Sequence, residues 1–164
     1  MPDTVGNFAV FHNPAPYLDE NRDEAMVVSS DSDRMSTLIW SCRGSRTRLD
    51  VLLDRYHGFS GLAAKLVHRF DRGRQDTIVV RLADDVGMRY ALPASQVSAF
   101  TMQAIAASRL TVRAYTPGGL AREYVFDLTG AARALGSLPC AAAPRRPAVT
   151  RRASGSPAAR RPGA

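Results

Sequence analysis

Arg109-Leu110-Thr111-Val112-Arg113-Ala114-Tyr115 leads into Pro117-Gly118-Gly119 and returns as Arg122-Glu123-Tyr124-Val125-Phe126-Asp127-Leu128. Leu110, Val112 and Ala114 alternate with Arg109, Thr111 and Arg113, and Tyr124, Phe126 and Leu128 alternate with Glu123, Val125 and Asp127. Period-two alternation marks strands with one face in a core and one in water, and Pro-Gly-Gly supplies the turn between them. This stretch therefore predicts an antiparallel hairpin. On its upstream side, Val97, Phe100, Ala104 and Ala107, with Thr101 and Ile105 beside them, recur at helical spacing behind Pro93. That pattern predicts a helix over residues 95–107, capped by Ser95 and packed on a sheet. On its downstream side, Thr129-Gly130 opens a short helix that runs to Cys140.

Alternation governs the rest of the body. Thr47, Leu49, Val51 and Leu53 face one way, with Arg46, Arg48, Asp50 and Asp54 facing the other. Leu38, Trp40 and Cys42 share a face just upstream, so residues 38–54 read as a second hairpin across Arg43-Gly44-Ser45. Further strands are expected at Phe8–Phe11, Ala25–Ser30, Lys65–Asp71, Thr77–Leu82 and Met88–Leu92, each bounded by Gly, Pro, Asp or Ser. The fold class is mainly β (α+β). We expect an antiparallel β-sandwich or partly closed barrel of about seven to nine short strands, with one packed helix near 95–107 and a short C-terminal helix.

The 164 residues carry 22 Lys and Arg against 15 Asp and Glu, a formal charge of +7. Six of those cations, Arg145, Arg146, Arg151, Arg152, Arg160 and Arg161, lie in a stretch without any acid, so the remaining 16 nearly balance the 15 acids. Residues 144–164 are Arg, Pro, Ala, Gly and Ser with Val149 the only large aliphatic side chain. Such a segment cannot bury enough apolar surface to offset its ordering entropy and is expected to be a disordered tail. Residues 1–143 are expected to form a single β-rich domain. The tail offers electrostatic adhesion to the phosphates of nucleic acid or lipid, but with the body nearly neutral no nucleic acid is expected as a partner. No apolar run approaches the ~20 residues that span a bilayer, and the first residues lack the features of an export signal.

Residues that could carry chemistry are few. His12, His57 and His68 are scattered without metal-ligand spacing, so neither metal nor cofactor is expected. His68 alternates in register with Leu66 and Phe70 and reads as a partly buried strand residue, whereas His57 falls in a loop beside Tyr56 and Gly58. Gly58-Phe59-Ser60-Gly61 fails the nucleophile-elbow pattern because Leu62 stands where Gly is required. Asp84-Asp85 and the acids Asp19, Glu20, Asp23 and Glu24 read as solvated turns. Cys42 and Cys140 are the only cysteines. They are either two buried free thiols or a disulfide tying the end of the domain to the sheet.

The order of several short motifs resembles the VasI/TagO-like accessory proteins associated with type VI secretion. The pieces are Gly6-Asn7-Phe8-Ala9-Val10, Tyr17-Leu18-Asp19-Glu20, Leu38-Ile39-Trp40-Ser41-Cys42-Arg43 with Thr47-Arg48-Leu49, Val67-His68-Arg69-Phe70-Asp71, Phe100, Arg109 to Arg113, Phe126-Asp127-Leu128-Thr129-Gly130 and Cys140. The resemblance implies a small exported, periplasmic, non-enzymatic β-rich protein with no catalytic residues to carry over. It also implies an oxidising compartment, in which Cys42 and Cys140 would be bonded. A cytoplasmic location is the alternative, since the chain shows no leader.

Three functions follow as expectations. The first is an accessory or binding protein of the cell envelope that contacts a protein partner or a cell-wall component, with Arg109, Arg113 and Tyr115 as the candidate surface. The second is a hydrolase of envelope polymers using carboxylates such as Asp71 or Asp127. The third is nucleic-acid binding through the basic tail.

Overall fold

The computed structural model describes residues 1–12, 23–30, 35–53, 61–83, 88–116 and 118–140. Asp19, Glu20, Asp54, His57, the Gly58-Phe59-Ser60 segment, Asp84, Asp85, Pro117 and the arginine-rich tail lie outside the described residues. The alternating runs form β1 (Asp3–Val5), β2 (Phe8–Phe11), β3 (Glu24–Val28), β4 (Thr37–Arg43), β5 (Arg46–Leu52), β6 (Ala63–Phe70), β7 (Asp76–Leu82), β8 (Arg89–Ala91), β9 (Arg109–Tyr115) and β10 (Ala121–Asp127). Two helices join them, α1 (Ala94–Ala106) and α2 (Ala131–Gly136).

All pairings are antiparallel and belong to one sheet in the order β1-β2-β3-β4-β5-β8-β7-β6-β9-β10. This is the mainly β class read from the alternation. Ten strands are described where about seven to nine are expected. The addition is β1, whose three residues pair Val5 with Phe8 around the Gly6-Asn7 turn and are too few to show a period.

The sheet curls until its far ends meet without closing into a barrel. Ser30 N–H donates to the Val125 carbonyl at 2.8 Å, and Asn7 N–H donates to the Thr129 carbonyl at 2.9 Å. The concave face holds one core in which Trp40, Tyr90, Tyr124, Phe8, Phe126 and Leu110 are almost wholly buried. Each large side chain taken from water contributes roughly 1.5–3 kcal/mol, so this cluster is the main source of stability.

α1 closes the core between the two halves of the sheet through Val97, Phe100, Thr101 and Ala104. Trp40 of β4 donates its indole N–H to Thr101 Oγ1 at 3.0 Å, while Phe100 packs 5.1 Å from the His68 ring of β6. The helix starts one residue earlier than expected, and its cap position is Pro93 with no side-chain hydrogen bond, so Ser95 is not the cap. Thr101 Oγ1 donates to the Val97 carbonyl at 2.7 Å, which completes the bonding of a polar group inside an apolar face.

The alternation misplaces one residue's surroundings. Asp50 points to the polar side of β5 yet is fully buried, accepting Nε–H bonds of 2.7 Å from both Arg48 and Arg89. Bonds from two guanidiniums offset part of the cost of taking this carboxylate out of water.

α2 ends at Gly136, short of Cys140. Cys140 is bonded to Cys42 of β4, with Cα atoms 5.5 Å apart and 98 positions between them in the chain. Thr47 adds a bond from its hydroxyl to the Cys140 carbonyl at 3.3 Å.

Candidate functional site

The outward faces of β6, β7, β9 and β10 form the floor of a shallow groove of about 1010 Å³. Alternation places Lys65, Val67 and Arg69 of β6, Arg109, Thr111, Arg113 and Tyr115 of β9, and Glu123 and Val125 of β10 on this face. The register then sets them in rows across the strands: Lys65 beside Tyr115, Val67 beside Arg113 and Glu123, Arg69 beside Thr111 and Val125. Arg109, Arg113 and Tyr115 thus share one face of one strand. Sequence reasoning did not assign Lys65, Arg69 or Arg72 to this surface. The outward positions of Lys65 and Arg69 are visible in the alternation of residues 65–71, but only the long-range pairing of β6 with β9 brings Lys65 beside Tyr115 and Arg69 between Arg109 and Arg113; Arg72 follows the end of β6 and lines the same groove.

The charges on this face differ in how they are held. Arg113 donates to Glu123 at 2.9 Å, and bonds to Glu123 and then Tyr115 raise its pKa. The Lys65 ammonium lies 5.7 Å from the centre of the Tyr115 ring, a cation–π contact. Arg69, Arg72 and Arg109 make no ion pair within 4.0 Å among the described residues.

Of the two carboxylates considered for hydrolysis, Asp71 lines the groove and Asp127 lies outside its lining, and both hold loops. Asp71 has a φ of 46°, and its carboxylate accepts the backbone N–H bonds of Ser108 and Arg109 at 2.9–3.3 Å. Asp127 Oδ1 accepts from the Thr129 hydroxyl at 2.6 Å and from its backbone N–H at 2.9 Å. Those two bonds hold the Asp127 carboxyl below the usual carboxylate range. Asp127 stands opposite Arg109 in register without forming an ion pair with it.

His68 faces away from the groove floor, buried between Phe70 and Phe100 at ring distances of 5.6 and 5.1 Å, as its register with Leu66 and Phe70 indicates. Desolvation lowers its pKa, partly offset by Asp76 beside it. Among the described residues no group of His, Cys, Asp and Glu is arranged to hold a metal ion, and no helix is long and apolar enough to cross a membrane.

No family model matches the chain, and no curated protein matches it. Among solved structures it is similar to the crystal structure of invasion associated protein B from Bartonella henselae, with a TM-score of 0.59 over 83% of this chain and 94% of that one. The two sequences are 11% identical, so the likeness is one of fold, and it gives no support to the VasI/TagO-like family.

Proposed function

We propose that this chain is a non-enzymatic binding or assembly accessory of the cell envelope, making its contact through the groove around Arg109, Arg113 and Tyr115. The observation that carries this reading is the groove itself: a sheet face and its adjoining turn on which Arg69, Arg72 and Arg109 have no carboxylate partner among the described residues. Rigid elements present charged groups at fixed spacing, which suits recognition. The engagement of Asp71 and Asp127 in loop hydrogen bonds supports binding over hydrolysis. The Cys42–Cys140 bond supports an oxidising, extracytoplasmic compartment. The fold shared with a protein named for invasion is in keeping with an envelope-related role.

The experiment is a pulldown from a solubilised envelope fraction with the intact chain and with the Arg113→Ala, Tyr115→Ala double variant. Loss of partners at unchanged melting temperature supports the reading; an identical partner list removes this surface from it. A type VI secretion role is the finer form of the proposal. It rests on the motif order over residues 6–140 and is tested by whether deleting the gene lowers secretion by that apparatus.

A further inference from the structure

The groove's cations are spread out, not gathered. Four positions separate Arg109 from Arg113 along β9, a span of about 13 Å, and Arg69 lies one strand over, level with Thr111 between them. Arg113 is held by Glu123, so the cations left to a ligand are Arg69 and Arg109, on neighbouring strands and two positions apart in register, roughly 8 Å between backbones, a spacing that suits two carboxylates of one ligand better than a single phosphate. The floor between the cations is made of Val67, Thr111 and Val125, and Tyr115 lies at the opposite end of β9 from Arg109. The acids present are already engaged: Glu123 by Arg113, Asp71 by the backbone amides of Ser108 and Arg109. Among the described residues the groove's unpaired charge is therefore positive.

From this arrangement we infer that the groove takes a linear acidic polysaccharide laid along β9, its carboxylates on Arg69 and Arg109. Guanidinium groups match carboxylates in a planar, two-bond geometry. The disulfide favours a glycan over a nucleic acid, because a compartment that keeps Cys42 and Cys140 oxidised faces the cell wall and its polymers. The inference rests on the binding-protein reading above and names its ligand.

Titration calorimetry with short polygalacturonate oligomers tests it on the full chain. The comparison uses an Arg69→Gln, Arg109→Gln variant and a second variant in which the six arginines of residues 145–161 become Gln. Binding should weaken at least about tenfold in the first, as expected for two charge-assisted contacts, and change less than about twofold in the second. Neutral dextran should not bind. Unchanged affinity in the groove variant, loss confined to the tail variant, equal binding of dextran, or no binding by the intact chain would each overturn the inference. Both substituted residues of the groove variant are exposed, so it should melt with the parent chain. If envelope partners still depend on Arg113 and Tyr115 while polygalacturonate is ignored, the ligand assignment fails and the binding role stands.

Discussion

His68 shows how a single side chain reports its surroundings. Its ring is buried among Phe70 and Phe100, and no described group hydrogen-bonds Nδ1. Burial depresses the folded-state pKa below the ordinary value of 6.5. Above that value the imidazole is neutral in both states and has no effect on the balance between them. As pH falls through 6.5 the unfolded chain takes up a proton that the folded chain refuses, so stability drops with acidification until the folded pKa is passed. Thermal melts between pH 7.5 and pH 5 should show this slope, and His68→Phe, which keeps an aromatic ring in the cluster, should flatten it. An unaltered slope in that variant would assign the acid sensitivity to other groups. The placement of His68 was legible because alternation alone decides which way a strand residue points. Cover over the polar side is another matter, and Asp50 shows it: its direction was legible, but its burial depends on Arg89, 39 positions away.

At the scale of elements, local pattern was enough for the two hairpins. β4 pairs with β5 across Gly44, and β9 with β10 in the register that the alternation implies. The strand order was not legible, since nothing within residues 46–91 says that β5 will pair with β8 and not with β6. The junction of β1–β2 with the start of α2 was equally hidden. There Gly6 (φ 63°) and Gly130 (φ 93°) face each other, and a Cβ on Gly130 would stand 2.4 Å from the Val5 carbonyl oxygen. Gly44 has a similar φ of 59° with open space around it. Gly44→Ala should therefore cost only the ~1–2 kcal/mol of a left-handed backbone. Gly130→Ala should cost more than about 2 kcal/mol, because two backbones must also move apart. Urea midpoints of the two variants check this, and equal costs would show that the close approach relaxes freely.

For the molecule as a whole, the Cys42–Cys140 bond encloses most of the domain. The sequence left its state open between free thiols and a bridge, because spacing cannot place a strand end beside residue 140. With 98 positions between the two sulfurs, the chain-entropy model gives about 4–5 kcal/mol of stabilisation, although strain and residual denatured structure often reduce it. Cys140→Ser in the Cys42→Ser background should lower unfolding free energy by about 2–5 kcal/mol relative to the oxidised parent. The unreduced parent, denatured with a thiol reagent present, should show no reactive sulfur. Labelling at both positions would contradict the bridge and with it the support for an oxidising compartment.

The meeting of Ser30 with Val125 bears on how copies of this chain behave toward one another. β10 ends the sheet, and an outermost strand with open carbonyls and amides is a template on which another chain can polymerise. Here the Val125 carbonyl is occupied by both the amide and the hydroxyl of Ser30, at 2.8 and 3.1 Å, and the charged Glu123 and Asp127 flank it. By curling until its last strand is obstructed, the sheet gains much of the protection against fibril growth that a closed barrel provides, while leaving its convex side open.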